Sequence, residues 1–501
     1  MAPGKAVPLV EFRVADANAV YRGVPLEKLM DNAGKAIARE VEKRLKGAQP
    51  RVLVLCGKGN NGGDGYVAAL HLAKRSRITV VFAEGRNAPD KGGVSASALS
   101  ALLKDRSIAK IDWSPGARRD VEALGRQADV ILDCLVGSGI SGPARAPYSD
   151  LIALANSLGG LVVAVDVPSG FPFKPQVRPD ITVTIEAKKA GMTRANSGTI
   201  VPVKIGFPKE AWTHTGPGEL QLIPKVADDA RKADRGVLAV VAGGPYSGAP
   251  ALAALAAHAC GVGLVHVFTP ESVADVVRRF DPTLIVHALE GKALGPAHVD
   301  GLLRSIAERR CGALALGPGL GRAGPTQAAV RLLADKSRLP QVIDADAIAA
   351  CRTLGGGPLR GSVLTPHAGE FKALTGRAVP GEDNLGGRAK AAAAAARSFR
   401  TTVLLKGHRT LISDGARLKI NDAGVSAMAV GGTGDVLTGA VGAMLAKRLS
   451  PFDAARVGAF LCGKAGELAF EDLGHSLKPP DIISAIPRVL ARHVPWWGGR
   501  P

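Results

Sequence analysis

Gly431-Gly432-Thr433-Gly434-Asp435 runs straight into the mostly apolar stretch Val436 to Leu449. Three glycines let the backbone turn its N–H groups onto an anion, a helix starting there adds the positive end of its dipole, and a carboxylate closes the motif. Phosphoryl transfer to a hydroxyl needs those two things: donors for charge on the phosphoryl oxygens, and a base for the hydroxyl proton. A plain helix start would need one glycine and a capping residue, so the motif predicts function, with Asp435 as the base. The same half of the chain holds Gly317-Pro318-Gly319-Leu320-Gly321, Asp344-Ala345-Asp346, Leu364-Thr365-Pro366-His367-Ala368-Gly369-Glu370 and Leu405-Lys406-Gly407-His408-Arg409-Thr410. Each begins at or just past an expected strand end. A lone histidine is usually structural. At a strand end in a chain with an anion hole, His367 is read instead as a ligand contact, and Lys406 can face a nucleotide phosphate.

A second constellation lies in the first half. Gly57-Lys58-Gly59-Asn60-Asn61-Gly62-Gly63-Asp64-Gly65 follows the first strand and precedes a helix. Such a loop can cradle a phosphate-bearing ligand on backbone amides, yet it is not GxGxxG, and its Asn and Asp side chains exceed what a phosphate loop needs. Asp133 ends another strand ahead of Gly137-Ser138-Gly139-Ile140-Ser141-Gly142, and Asp166 ends a third ahead of Pro168-Ser169-Gly170. Any one of these acids could merely cap a helix or make an Asx turn. Together they aim acids and glycine loops at one sheet edge. Asn61, Asp133 and Ser169 also supply hard oxygens suited to a monovalent or divalent cation.

Two sets of strands must position these residues. In the first half, Val52 to Cys56, Ile78 to Phe82, Val130 to Cys134, Leu161 to Asp166 and Ile181 to Ile185 are β-branched apolar runs separated by helical patterns such as Tyr66 to Lys74. Continuous apolar strands alternating with helices predict a parallel sheet covered on both faces, a Rossmann-like doubly wound domain with ligands at the C-terminal strand ends. A stretch with Pro217, Gly218, Pro224 and mixed charge, from Lys209 to Arg235, reads as an interdomain linker. A second α/β series then runs through Val237 to Ala242, Gly263 to Phe268, Ala313 to Leu316, Gln341 to Asp344, Ser362 to Thr365 and Thr401 to Leu405. Ala389 to Ala396 is an alanine-rich helix. No period of about 20 to 50 residues appears, so two different domains are expected, 1–220 and 221–501.

The 501 residues exceed one ordinary core, and 46% apolar with 22% charged residues is a globular composition. The +20 charge raises nucleic acid as a partner. Dispersed basic residues and 4% aromatics, without a stacking series, argue instead for a solvated basic surface that attracts anionic metabolites. Six cysteines without a CxxC predict buried thiols, not zinc or disulfides. The first residues show no basic run followed by an apolar stretch, so no secretion signal is expected. The uncharged stretch Ala249 to Phe268 is broken by Pro250 and Gly261-Val262-Gly263, and reads as helix, turn and buried strand instead of a membrane span. A cytoplasmic protein is expected.

Leu29-Met30-Asp31-Asn32-Ala33-Gly34, the loop Gly59 to Gly65, Asp133 with Gly137-Ser138-Gly139, and Val165 to Gly170 together resemble the NAD(P)H-hydrate epimerase family, from about Tyr21 to Pro208. The resemblance implies that Asn60, Asn61, Gly62, Gly63, Asp64, the loop Gly137, Ser138, Gly139, Ile140, Ser141, Gly142 and Pro143, and Asp166 hold the hydrated dinucleotide. It further implies potassium on Asn61, Asp133 and Ser169. Asp133 is the candidate acid/base, and Lys189 matches a family lysine. Asp31 stands where the family usually has Glu, Lys58 where it has Pro, and Phe171 to Arg178 is shorter than usual.

From about Gly236 to Gly474 the order of motifs resembles the ribokinase-like NAD(P)H-hydrate dehydratases, with the usual basic run and serine loop abbreviated to Lys232 to Gly236 and Gly243-Gly244-Pro245. That resemblance implies an adenine nucleotide on Lys406, Gly407, His408, Arg409, Thr410 and Gly434, and the hydrated cofactor on Ala249, Gly319, His367 and Asp435. ADP, with Mg2+, is the implied phosphoryl donor. The implied whole repairs NADHX and NADPHX without nucleic-acid or membrane partners, as a homo-oligomer. From the residues themselves two alternatives stay open: a ribokinase-like small-molecule kinase, and a non-catalytic nucleic-acid or protein-binding scaffold.

Overall fold

The computed structural model describes residues 6–86, 93–140, 142–355 and 357–497. The chain divides into two compact units, Met1–Lys209 and Glu210–Pro501.

In the first unit, strands β1 Arg51–Cys56, β2 Arg77–Phe82, β3 Ala109–Asp112, β4 Val130–Cys134, β5 Leu161–Val165, β6 Ile181–Ile185 and β7 Thr199–Val203 form one sheet in the order β3-β2-β1-β4-β5-β6-β7. All of its pairings are parallel. The chain therefore reverses its direction of travel across the sheet between β1 and β4, and a crevice opens at their C-terminal ends. Helix Leu26–Glu42 lies against helix Asn60–Leu72 so closely that a Cβ at Gly34 would stand 2.4 Å from the Cβ of Val67. Glycine is required there by contact.

The second unit holds β8 Val237–Val241, β9 Leu264–Pro270, β10 Ile285–Leu289, β11 Ala313–Leu316, β12 Gln341–Ile343, β13 Val363–Leu364, β14 Thr402–Leu405, β15 Thr410–Ser413 and β16 Leu418–Asn421. Their order is β10-β9-β8-β11-β12-β13-β14-β15-β16, parallel except for the last two pairings. Side chains alternate along each strand, so β8 splits its residues between two cores. Leu238 and Val240 join helices Gly248–Ala259, Thr433–Ala446, Pro451–Leu473 and Pro479–His493 on one face, while Val237, Ala239 and Val241 join Val299–Glu308 and Gly324–Lys336 on the other. A Cβ at Gly439 would collide with the carbonyl oxygen of Ala253 at 2.0 Å, so glycine lets the helix carrying Asp435 cross Gly248–Ala259 at contact distance.

The apolar central strands agree with the sequence expectation to within one or two residues. Strands β3, β7, β10, β15 and β16 were not expected. Most lie at sheet edges and carry half-exposed residues, and β7 contains Pro202, so their patterns read as loop. The linker expectation needs correction over its first part. His214 bridges to Ile420 of β16, Leu220 and Ile223 enter the second unit's core, and the fully buried Glu219 pairs with Lys419 at 3.0 Å. Arg456 lies 3.7 Å from the same carboxylate. Residues 210–223 are part of the second fold, recruited by a buried charge network that composition does not reveal.

Candidate active sites

At the β1/β4 crevice, the segment expected to be a loop before a helix is itself helix: Gly59 is the N-cap, and Asn60 to Asp64 form the first turn and a half. Its glycines are there for packing as much as for ligand approach. A Cβ at Gly62 would stand 1.9 Å from the Gly57 carbonyl oxygen, one at Gly63 2.6 Å from Met30 Cε, and one at Gly65 2.7 Å from Cys134 Cβ. The Asn61 amide is buried, and neither its oxygen nor its nitrogen has a hydrogen-bond partner. It faces Gly137, where a Cβ would lie 3.3 Å from Asn61 Oδ1. Asn60, Gly139 and Pro143 are exposed, and Ser138, Ile140 and Gly142 half-buried. Ser141 lies outside the described residues.

Asp133 has no exposed surface. Its Oδ1 accepts from Ser169 Oγ at 2.5 Å and from the Leu135 amide at 3.3 Å, and its Oδ2 from the Ser169 amide at 2.8 Å. Ser169 Oγ in turn accepts from the Val136 amide at 2.8 Å. Burial pushes the Asp133 carboxyl up to about 6, against the opposing pull of the Ser169 bonds. A carboxylate so enclosed positions Ser169 and the loop after β4. The apolar strand end that places the candidate acid/base Asp133 at this edge also buries it.

Three other acids of this unit interact with one another. Asp166 holds φ +65, a conformation rare outside glycine, and pairs with the fully buried Lys189, which also donates to Thr184 Oγ1 at 3.1 Å and to the Ile185 carbonyl at 2.7 Å. Asp64 is buried, and burial together with Asp166 and Asp16 pushes its carboxyl well above the ordinary range. Asp16, raised to about 6 by burial and then by Asp166, was missed by the sequence reading. It stands on helix Leu9–Tyr21, one turn after Phe12, whose ring lies 3.9 Å from Lys189 Nζ. No motif surrounds it, so nothing local signals its role. Asp64 and Asp16, buried beside a third carboxyl, bind protons more tightly than isolated surface acids do.

In the second unit Asp435 sits in the first turn of helix Thr433–Ala446, behind Gly432 at φ +99. It lines a cavity of about 540 Å³ with Ala249, Gly319, Tyr246 and Asp346. Burial, then Asp344, Asp346 and Glu370 raise its carboxyl to about 7 against the pull of Lys406. A second cavity of about 890 Å³ is lined by His367, Lys406, Gly407, His408, Thr410, Thr433 and Gly434, with Val425, Met428, Leu437 and Ala459 as an apolar wall. The Thr433 hydroxyl is buried in that wall without a partner. Arg409 is exposed and does not line it. His367 therefore falls with the nucleotide set, apart from Ala249, Gly319 and Asp435 with which it was grouped. Its Nδ1 accepts from the Gly369 amide at 2.9 Å, so it also caps helix Ala368–Thr375.

Asp344 is the hub between the two cavities. It accepts from Lys406 Nζ at 2.8 Å, Thr365 Oγ1 at 2.7 Å and Thr438 Oγ1 at 2.7 Å. Burial alone would raise its carboxyl, but Lys406 and the two hydroxyls hold it below the ordinary range. Burial would likewise discharge Lys406, and Asp344 and Glu370 outweigh it, keeping the ammonium charged. The arrangement offers a base with a proton affinity near neutrality beside a fixed cation, which is what transfer of a phosphoryl group onto a hydroxyl requires.

Residues 26–191 match the YjeF-related protein N-terminus family, and residues 238–488 match the NAD(P)H-hydrate dehydratase family. The bifunctional NAD(P)H-hydrate repair enzyme Nnr of Pyrobaculum aerophilum is 40% identical over 98% of this chain and 99% of its own. That of Hyperthermus butylicus is 39% identical over 97% of this chain and 92% of its own. The solved ADP/ATP-dependent NAD(P)H-hydrate dehydratase from Bacillus subtilis, co-crystallised with ATP/Mg2+, covers 56% of this chain and 98% of its own at 26% identity and a TM-score of 0.47. With both halves matched in order and nearly its whole length shared with such relatives, the chain belongs to the family of bifunctional NAD(P)H-hydrate repair enzymes.

Proposed function

We propose that the chain repairs hydrated reduced nicotinamide dinucleotides: the first unit interconverts the R and S epimers of NAD(P)HX, and the second dehydrates one of them to NAD(P)H at the expense of ADP. Asp435 carries the second assignment, because it lines a cavity adjoining the one that holds Lys406, and burial and neighbouring acids push its carboxyl up to about 7. Asp435 takes the proton of the C6 hydroxyl as that oxygen bonds to the terminal phosphorus and the bond to the AMP oxygen breaks. The ring nitrogen's lone pair then expels phosphate as the C6–O bond breaks, and the released phosphate or water takes a C5 proton, whose C–H electrons restore the ring double bond. Lys406, Gly434 and the Thr433 hydroxyl supply the donors for the charge that gathers on phosphoryl oxygens. No group of three or more His, Cys, Asp or Glu among the described residues is placed to hold a metal ion, so Mg2+ would be held chiefly by phosphates and water.

In the first unit the orphaned Asn61 amide, Ser169 Oγ and Asp133 suit potassium, which would steady the loop after β4 and offset charge there. The test of the phosphoryl path is NADHX carrying 18O at C6. Label recovered in inorganic phosphate supports it, and label recovered only in water removes it.

A further inference from the structure

The Asp435 cavity does not end at the reacting residues. At Pro245 it meets another cavity, of about 390 Å³. The wall between them is the turn after β11, with Gly319 facing Asp435 and Leu320 and Gly321 facing the second compartment. That wall is thin and fixed. Gly321 has φ +81, and a Cβ there would meet Pro245 Cγ at 2.9 Å. The Gly321 amide donates to Asp346 Oδ2 at 2.9 Å, and Arg322 Nε donates to Asp346 Oδ1 at 2.9 Å.

The second compartment is lined by neutral residues with two exceptions, Lys292 and Arg322. Arg322 spends one N–H on Asp346 and keeps 68% of its side chain exposed. Lys292 is exposed and makes no ion pair among the described residues. Helix Gly324–Lys336 starts at the rim beside Ala323 and Thr326 without a side-chain cap, which adds further positive potential. A dinucleotide reacts at one end and carries its phosphates and adenosine at the other. A site that engages the ring at Asp435 must therefore continue into a compartment suited to anions.

We infer that the compartment holding Lys292 and Arg322 binds the phosphate groups of the substrate's adenosine half. The inference rests on the dehydratase reading above. Lys292→Ala and Lys292→Glu alter an exposed side chain with no ion pair to break, so folding is preserved. Arg322→Lys keeps the charge that faces Asp346. Initial rates are measured with NADHX and NADPHX as substrates and ADP in excess. Loss of a charged hydrogen bond to phosphate should raise KM for the hydrate roughly ten-fold or more, with Glu worse than Ala, while kcat and KM for ADP stay at the parent's values. A rise confined to NADPHX assigns the pair to the 2′-phosphate, and an equal rise with both substrates assigns it to the diphosphate. If the parent turns over neither hydrate, the functional reading itself has failed. If the parent is active and all three variants keep its KM for both, the compartment is not a substrate site.

Discussion

Each unit buries one lysine against an aspartate just past a strand end, and the two pairs behave oppositely. Lys189 has no exposed surface, and burial lowers its proton affinity despite Asp166. Lys406 keeps 21% of its side chain exposed, and Asp344 and Glu370 raise its proton affinity despite burial. The first pair is enclosed among surplus carboxyls, and burial and like charge raise Asp64 and Asp16 above the ordinary carboxylate range. The second faces a cavity with its carboxylate fully answered by Lys406, Thr365 and Thr438, leaving Asp435 as the acid without an ion pair among the described residues. The same residue types thus give a cluster of raised carboxyls in one unit and a cationic anchor with a lone base in the other. Enclosure decides which.

The largest effect should come from Asp435→Asn, which keeps shape and removes the base. Dehydration should fall by about 10²- to 10⁴-fold while the epimers still interconvert. Asp133→Asn should do the reverse, so a mixed substrate stops at a plateau with one epimer unconsumed. Retained dehydration in the first variant, or full consumption by the second, breaks the division of labour.

Next in size are the lysines themselves. Lys189→Met strands Asp166 in the closed pair and should cost the first unit about 3–5 kcal/mol in denaturant unfolding. Lys406→Met should cost less, because two hydroxyls still serve Asp344, and should show mainly as weaker use of ADP. Equal stability losses would mean that the two pairs do not differ as described.

Separating the units sharpens the comparison further. A chain beginning at Glu210 should fold and dehydrate alone. One beginning at Leu222 loses Glu219, leaves Lys419 and Arg456 buried without it, and should be less stable by about 3 kcal/mol. Matching denaturation midpoints would show that residues 210–221 are dispensable.

The pH dependence is smaller. With Asp435 at about 7, the ionised base falls roughly ten-fold for each unit below that, and dehydration should follow. The sign for stability is opposite. Folding raises this carboxyl from 3.8 to about 7, so the folded state binds its proton more tightly, and the stabilisation from that proton declines as pH rises through that window. A dehydration rate flat from pH 5 to 8 would contradict the assignment of the base. Smallest of all, replacing potassium by tetramethylammonium should slow epimerisation several-fold and leave dehydration by a chain beginning at Glu210 unchanged. Equal epimerisation rates in the two salts would leave the Asn61 amide without an explanation.

Short-range order in the sequence determined the glycine-rich helix starts, the central apolar strands and the acids at their ends, because these depend on backbone freedom and on alternation within a few residues. Asp435, Lys406 and Asp166 were legible for that reason. Asp16 was not: its neighbours are ordinary helix, and its meaning comes only from Lys189 and Asp166, far along the chain. Residues 210–223 looked like a linker because Pro and Gly punctuate them, and only the buried Glu219, paired with lysine and arginine from distant elements, makes them part of a fold. Tertiary structure also decided that His367 belongs with Lys406 and that Asp133 is sealed. Burial and charge pairing are sums over distant neighbours, and no local window of sequence contains them.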